Sequence, residues 1–218
     1  MKHGEILARI KRGAIVPIIR TPDSASALSS IQALQDGGLD CVEITMTVDG
    51  AIKALEKAAD QYGDQILLGA GTVLDPETAR ICMLAGAQFF VTPSLNTKTI
   101  EMARRYSKPV FPGGLTPTEI VSAWEAGADA VKVFPCNALG GPKYIKALKA
   151  PFPQIELFPT GGCSLDTVAD FLRAGSAAVG VGSELVDIKS IAASDYRTIS
   201  ERAQKFRQAI ASVRDQAA

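Results

Sequence analysis

Eight short apolar runs, each followed by a segment with helical spacing, are the feature of this sequence that most restricts its fold. The runs have apolar residues on both faces, as parallel strands covered on both sides do. They are AIVPII (14–19), CVEITM (41–46), ILLGAG (66–71), QFFVTP (88–93), PVFPGG (109–114), AVKVFP (130–135), IELFPT (155–160) and AAVGVG (177–182). Eight such units predict an α/β fold, a (β/α)8 TIM barrel with an extra N-terminal helix at about residues 1–12.

An open, doubly wound sheet is the main alternative to this barrel. The GxGxxG motif that marks the dinucleotide-binding form of that sheet does not follow the first strand. The chain has 218 residues, of which 47% are hydrophobic, so it can form one sizeable core. Because no linker or low-complexity tract divides the sequence, we expect a single barrel domain over residues 1–218.

The composition argues against nucleic acid or a membrane as a partner. The 23 Lys and Arg residues balance the 23 Asp and Glu residues, so no net charge attracts a polyanion. The sequence lacks both a run of about 18 apolar residues and the apolar centre of a signal peptide. The four cysteines form no CxxC motif and lie mostly in apolar stretches, which favours reduced, buried thiols in the cytoplasm.

Histidine is almost absent from this chain. His3 is the one histidine of the sequence and lies near its start, which argues against histidine-based general base catalysis and against the common zinc sites. A metal-dependent isomerase or epimerase is therefore disfavoured, although an all-carboxylate site stays open. Chemistry in this protein is expected to rely on lysine, glutamate, hydroxyl and backbone groups.

Two ionisable residues stand inside apolar strands. Lys132 is at the centre of AVKVFP, and Glu43 is the third residue of CVEITM. Lys132 lies five residues after Gly127, and Glu43 lies five residues after Gly38. Both glycines can end a helix, so a weak internal repeat places the two ionisable residues at equivalent depths. Because alternate side chains of a barrel strand point inward, both side chains are expected to share one interior.

Two interpretations of this pair remain open. A buried Lys–Glu ion pair could be structural, but such pairs are rarely more stable than apolar packing. Alternatively, desolvation lowers the pKa of a lysine and frees its neutral amine to attack a carbonyl as a Schiff base. A nearby carboxylate can then move protons. The energetic argument favours the catalytic interpretation.

Glycine-rich turns end the last two predicted strands. Gly161 and Gly162 belong to PTGG, and Gly182 and Ser183 belong to GVGS. Loops at these places in TIM barrels often bind phosphate through backbone N–H groups, although tight turns alone also require glycine. Arg20 follows the first strand and is either a solvated charge or a ligand for a carboxylate or phosphate.

The sequence resembles the class I 2-keto-3-deoxy-6-phosphogluconate (KDPG) aldolases and the overlapping 4-hydroxy-2-oxoglutarate (KHG) aldolases. The matching motifs occur in order from about residue 4 to residue 210. They are VPIIR, GGLDCVEITMT, GAGTVLDPE, AGAQFFVTPSLN, PGGLTPTEI, GADAVKVFP, GGPKYIKALKAPFPQIELFPTGG and AVGVGS.

The resemblance implies cleavage of a phosphorylated 2-keto acid sugar to pyruvate and D-glyceraldehyde 3-phosphate, without metal or cofactor, by a cytoplasmic homotrimer. It implies that Lys132 is the Schiff-base nucleophile and that Glu43 is the general acid/base. The implied substrate-binding residues are Thr72, Pro93, Phe134 and Thr160, and the implied phosphate-binding residues are Gly161, Gly162, Gly182 and Ser183.

This chain departs from many family members at one substrate-binding position. They have an arginine four residues after the glutamate, where this chain has Thr47. Another branch of the family has an arginine after the first strand, and Arg20 matches it. The alternatives to KDPG as substrate are the galactonate epimer and 4-hydroxy-2-oxoglutarate. A non-catalytic phosphosugar-binding barrel is the alternative from another class.

Overall fold

The structure is a computed structural model that describes residues 1–215, in which strands alternate with helices. The strands are β1 Ile15–Ile19, β2 Cys41–Thr45, β3 Leu67–Gly71, β4 Phe89–Val91, β5 Val110–Phe111, β6 Gly113–Gly114, β7 Val131–Val133, β8 Leu157–Pro159 and β9 Val179–Val181. The helices are α1 His3–Gly13, α2 Ser24–Asp36, α3 Ala51–Tyr62, α4 Pro76–Leu84, α5 Thr97–Arg105, α6 Pro117–Glu125, α7 Pro142–Lys149, α8 Val168–Arg173, α9 Ile188–Ala192 and α10 Tyr196–Asp215. Each of the eight predicted runs contains a strand, and the predicted N-terminal helix is α1.

The strands form two parallel sheets rather than the one continuous sheet that the sequence predicts. The larger sheet has the order β5-β4-β3-β2-β1-β9, and the smaller has the order β6-β7-β8. The fifth predicted strand is divided because Pro112, which has no N–H to donate to a ladder, separates β5 from β6. A single bridge between Thr160 and Gly180 links the end of β8 to β9. The prediction of a parallel α/β fold is confirmed, and the curled sheets follow the predicted strand order.

Local sequence signals fix the ends of the helices. Asp75 is the N-cap of α4 and accepts a hydrogen bond from the backbone N of Thr78 at 2.6 Å, with Pro76 in the first turn. Gly38 and Gly127 follow α2 and α6 with φ angles of +85° and +96°, which favour glycine. These stops direct the chain into β2 and β7, the strands that carry Glu43 and Lys132.

The concave side of the curled sheets is filled at its amino-terminal end. Side chains from successive strands form one buried cluster there, and Ile6 and Ile10 of α1 pack against it. The other members of this cluster lie on the strands or directly before them, and are Val16, Cys41, Leu67, Phe89, Val91, Phe111, Ala130, Phe158 and Ala178. Because this end is closed, the carboxyl ends of the strands are the face available for a site. Within residues 1–215 no helix is both long enough and apolar enough to cross a bilayer.

Candidate active site

Glu43 and Lys132 project into the same interior, as their positions in the sequence predict. Cys41 on β2 and Ala130, which directly precedes β7, lie two residues before them and belong to the inner apolar cluster. Side chains two residues apart on a strand share a face, so Glu43 and Lys132 form the next layer towards the carboxyl end. Their exposed fractions are 0% and 5%, respectively.

The Glu43 carboxyl group is buried without a hydrogen-bond partner. Neither of its oxygens accepts a hydrogen bond in the structure. Burial raises the pKa of Glu43, while the positive charges of Lys132 and Arg20 act in the opposite direction. The two groups therefore influence each other without the hydrogen-bonded contact that a structural ion pair requires, and the carboxyl group is available to a ligand or a water molecule.

The Lys132 amine is held in an environment that disfavours its charge. Burial lowers its pKa, Glu43 opposes this effect, and Arg20 adds to it. The Nζ atom lies 5.0 Å from the centroid of the Phe134 ring, which faces the solvent side of the site. The Lys132 backbone N donates to the carbonyl of Pro112 at 2.8 Å, which ties β7 to the neighbouring strand. This environment increases the fraction of neutral amine, the nucleophilic form.

Two strand glycines give the polar side chains the room that they occupy. A Cβ atom at Gly71 would lie 2.3 Å from Oε1 of Glu43. A Cβ atom at Gly180 would lie 2.4 Å from Oγ1 of Thr160, which is buried and has no hydrogen-bond partner. Neither glycine is among the site residues that the sequence predicts. The available signal was glycine inside a strand, which often marks a close approach by another group.

Thr72 and Pro93 lie at the carboxyl ends of the adjacent strands β3 and β4. Thr72 has a φ angle of +57°, an uncommon conformation for a threonine and one that is enriched at functional sites. It directly follows Gly71, against which the Glu43 carboxylate lies. The backbone of Pro93 lies close to Gly113. A Cβ atom added at Gly113 would be 2.3 Å from the Pro93 carbonyl. Thr72 is therefore next to the residue that Glu43 contacts, and Pro93 is next to Gly113, which pairs with Lys132.

A cleft of about 550 Å³ opens at the carboxyl ends of β1, β8 and β9. It brings together seven of the predicted residues, which are Arg20, Phe134, Thr160, Gly161, Gly162, Gly182 and Ser183. Its other lining residues, which sequence reasoning missed, are Ile18, Cys163, Ser164, Gly180, Glu184, Val186 and Ile188. Glu43 and Lys132 lie deeper than this lining, and the Phe134 ring connects Lys132 to it.

Glycine-rich turns line this cleft. Gly161 and Gly162 have φ angles of +93° and +77°, and Thr167 fixes the turn by donating its hydroxyl to the Gly162 carbonyl at 2.8 Å. The N–H groups of Leu185 and Val186 both donate to the Gly182 carbonyl at 2.9 Å, which forms a helical turn after β9. Such turns favour the binding of an anion.

Arg20 and Thr47 occupy different places relative to the cleft. Arg20 lines it and is close enough to affect the pKa of both buried ionisable groups. Thr47 is exposed and lies outside the lining, with its hydroxyl 2.8 Å from that of Thr45. Thr45 in turn donates to the carbonyl of Ile19 at 3.1 Å. Arg20, which directly follows β1, is thus the arginine of the cleft. The end of β2 provides Thr45, whose hydroxyl group is hydrogen-bonded to Ile19 and Thr47.

A buried lysine and a buried carboxyl group on parallel strands, beside a glycine-rich rim, are the parts of a carbon–carbon lyase that uses its own amine. The family model "Aldolase: KDPG and KHG aldolase" matches residues 6–202. The chain therefore belongs to the KDPG and KHG aldolase family, a family of lyases.

Similar proteins cover most of this chain. A 2-dehydro-3-deoxy-6-phosphogalactonate aldolase of Escherichia coli is 42% identical over 78% of this chain and 83% of its own length. A 2-dehydro-3-deoxy-phosphogluconate aldolase of Treponema pallidum is 33% identical over 94% of this chain and 97% of its own. A crystal structure of the Legionella pneumophila KDPG aldolase, with pyruvate captured as a covalent carbinolamine, has a TM-score of 0.85 and 30% identity over 94% and 97% of the two chains.

Proposed function

We propose that this protein is a Schiff-base aldolase that cleaves 2-dehydro-3-deoxy-6-phosphogluconate to pyruvate and D-glyceraldehyde 3-phosphate. The observation that carries the proposal is the interior pair of Lys132 and Glu43. The amine has a lowered pKa, and the carboxyl group has no hydrogen-bond partner. The covalent pyruvate adduct reported for the Legionella pneumophila KDPG aldolase supports the same chemistry here.

Lys132 acts first in the proposed reaction. Its neutral amine attacks the C2 ketone of the substrate to form a carbinolamine, and loss of water gives an iminium. The iminium withdraws electrons from the neighbouring C3–C4 bond. It supplies the electron sink that a metal ion provides in other aldolases, so the reaction needs no Lewis acid and no cofactor.

Glu43 then transfers protons, directly or through a water molecule. Its carboxylate accepts the proton of the C4 hydroxyl group, the C3–C4 bond breaks, and the electron pair forms an enamine on the Lys132 adduct. D-Glyceraldehyde 3-phosphate leaves. Protonation of the enamine at C3 and addition of water then release pyruvate and restore the amine.

The remaining predicted residues bind the two ends of the substrate. Arg20 is proposed to bind the C1 carboxylate, because its guanidinium lines the cleft close to Lys132. Thr72 and Pro93 line the pyruvate end, while Thr47 supports it through Thr45. Phe134 and Thr160 contact the middle of the substrate, where the unpartnered Thr160 hydroxyl suits a sugar hydroxyl. The phosphate is bound by Gly161, Gly162, Gly182 and Ser183.

The galactonate epimer is a second candidate substrate. The specific observation in its favour is the 42% identity to the Escherichia coli phosphogalactonate aldolase. The two substrates differ at one carbon that would lie between Lys132 and the phosphate turns, close to Thr160. That carbon is C4, so the two epimers present the hydroxyl group that Glu43 deprotonates in different directions, whereas attack of Lys132 at C2 is common to both substrates.

We also infer that the protein is a closed barrel, that it is cytoplasmic and that it forms a homotrimer. The Thr160–Gly180 bridge and the continuity of β5 with β6 across Pro112 span the two gaps between the sheets, which supports one closed (β/α)8 barrel domain. The buried cysteines, which form no disulfide, suit the reducing cytoplasm. The family resemblance suggests a homotrimer, and the exposed Leu74, Ile81 and Leu84 supply apolar surface for association.

A coupled assay tests the proposed function. Pyruvate release is followed with lactate dehydrogenase for the gluconate epimer, the galactonate epimer and 4-hydroxy-2-oxoglutarate, before and after chelator treatment. We expect the highest kcat/KM with the gluconate epimer and no effect of the chelator. A higher value with the galactonate epimer would transfer the assignment to that substrate. Binding of the phosphosugars without pyruvate release would contradict the aldolase proposal.

A further inference from the structure

The cleft contains two charged side chains, Arg20 and Glu184. Burial dominates the pKa shifts of Glu43 and Lys132, and Arg20 in addition lowers both, so its guanidinium acts at the inner end of the cleft. Glu184 directly follows Ser183, is exposed, and makes no hydrogen bond or ion pair within residues 1–215. The outer end of the cleft therefore combines the glycine turns with an acidic residue, and no lysine lines it.

This combination gives a weak site for phosphate. Backbone N–H groups hold phosphate oxygens without a net positive charge, whereas most tight phosphate sites add arginine or lysine. A phosphate monoester has a charge of about −1.5 to −2 near neutral pH. A carboxylate next to the phosphate turns repels that charge, and the exposed position of Glu184 means that salt screens the repulsion.

A weak hold on phosphate suits the order of the proposed reaction. After C3–C4 cleavage, pyruvate stays covalently attached to Lys132, while the aldehyde leaves with the phosphate. Product release limits the turnover of many enzymes. We propose that Glu184 is a specificity-determining residue that lowers the affinity of the outer site for the phosphate of substrate and product. This inference rests on the proposed function, because it places the substrate phosphate beside Ser183.

The direct test measures phosphate binding without any chemistry. Isothermal calorimetry compares glycerol 3-phosphate binding to the wild-type protein and to Glu184→Gln, which keeps the side-chain shape and removes the charge. We expect the variant to bind about threefold to tenfold more tightly at low salt. The gain should shrink towards the wild-type value at about 1 M salt, where the Debye length is short.

Glu125→Gln is the matched control. Glu125 is an exposed carboxylate at the carboxyl end of α6, which leads into β7 at the opposite end of the sheet from the cleft. This variant has the same change in net charge, so it measures the effect of overall charge alone. We expect it to bind glycerol 3-phosphate with wild-type affinity.

Kinetics provide the second readout. In Glu184→Gln, KM for the phosphorylated substrate should fall by the same factor, inhibition by D-glyceraldehyde 3-phosphate should strengthen, and kcat should not rise. Trapping of pyruvate by borohydride should change by less than about twofold, because pyruvate has no phosphate for the charge to repel.

The outcomes separate this inference from the proposed function. Unchanged phosphate affinity in Glu184→Gln, or an equal gain in Glu125→Gln, would overturn the role of Glu184. Absence of pyruvate trapping and cleavage in the wild-type protein would overturn the aldolase proposal instead. Calorimetry would still decide whether Glu184 weakens phosphate binding in that case.

Discussion

The carboxylate of Glu43 lies against the backbone of Gly71 on the neighbouring strand, so closely that a Cβ atom at Gly71 would be 2.3 Å from Oε1. Glu43 is on β2 and Gly71 ends β3, and the two strands are paired in parallel register. The absence of a side chain at residue 71 thus sets the position of the buried carboxyl group. Gly71 also connects this group to Thr72, the next residue of the chain.

The first prediction concerns Gly71→Ala. The added methyl group must displace the Glu43 carboxylate, the far end of a flexible side chain, so we expect little loss of stability. Misplacement of a proton-transfer group by about 1 Å can reduce turnover about a hundredfold. We therefore expect kcat to fall by about tenfold to a hundredfold, with a change in Tm of a few degrees, measured by the coupled assay and by thermal unfolding.

Gly4→Ala is the control for this prediction, because a Cβ atom at Gly4 in α1 meets no atom within 4 Å. It should keep wild-type turnover. Normal turnover in Gly71→Ala would show that the position of the carboxylate does not limit the reaction.

The second prediction separates the roles of Lys132 and Glu43. Borohydride in the presence of pyruvate should add a covalent mass at Lys132, and Lys132→Ala should not be modified. Glu43→Gln should still form the adduct but should lower kcat by about a hundredfold to ten-thousandfold, the usual contribution of a general acid/base. Because the carboxyl oxygens have no hydrogen-bond partner to lose, we expect the free energy of unfolding to change by less than about 1 kcal/mol. Intact-protein mass spectrometry, the coupled assay and urea unfolding give the three readouts.

Much of the fold could be predicted because its signals are local. Each predicted run contains a strand, since apolar residues on both faces indicate a parallel strand covered by helices. The common interior of Lys132 and Glu43 followed from strand alternation, and the structure confirms it through Cys41 and Ala130. The apolar pattern of residues 109–114 does not indicate the division of the fifth strand, because the division comes from the missing N–H group of Pro112.

The missed parts of the site depend on distances between strands. The space that Gly71 and Gly180 leave for Glu43 and Thr160 arises from the packing of one strand on the next, which no local pattern specifies. The same reason applies to Glu184, whose place in the cleft depends on the turn after β9. Sequence patterns identify the groups that carry chemistry, while the shape of the site requires the assembled sheets.

The third prediction is a pH dependence of stability that arises from Lys132. Its pKa in the folded protein is lowered from the ordinary value of 10.5, chiefly by burial. Above about pH 10.5 the amine is neutral in both the folded and the unfolded protein, so Lys132 does not reduce the stability of the fold. As the pH falls below about 10.5, Lys132 binds a proton in the unfolded chain before it does so in the folded protein, and the folded state loses stability. This loss ends when the pH falls below the lower pKa of the folded state.

Lys132→Met removes this dependence. Its advantage in the free energy of unfolding over the wild type should therefore grow as the pH falls below about 10.5 and should level off once the pH is below the folded-state pKa of Lys132. Urea unfolding across this range measures it, with Lys143→Met at an exposed position of α7 as the control. A constant advantage at every pH would contradict a lowered pKa for Lys132.

The last prediction concerns Thr92, a buried hydroxyl group that joins two strand ends. Its Oγ1 donates to the carbonyl of Ser94 at 2.5 Å and accepts a hydrogen bond from the N of Gly113 at 3.3 Å. Gly113 is paired with Lys132 in the register of β6 and β7. The hydroxyl therefore fixes the turn at Pro93 and the strand next to the reacting amine.

Thr92→Val keeps the shape of the side chain and leaves both partners unsatisfied, so we expect a loss of about 1–3 kcal/mol in stability together with slower pyruvate trapping. Thr92→Ser should restore both properties, because it keeps the hydroxyl group. Thr99→Val is the matched control: the Thr99 hydroxyl on α5 is also buried but has no hydrogen-bond partner, so its removal should not reduce stability. Equal losses in the two valine variants would show that the cost comes from substituting a buried threonine, and the hydrogen bonds of Thr92 would then have no special role in holding β6 beside Lys132.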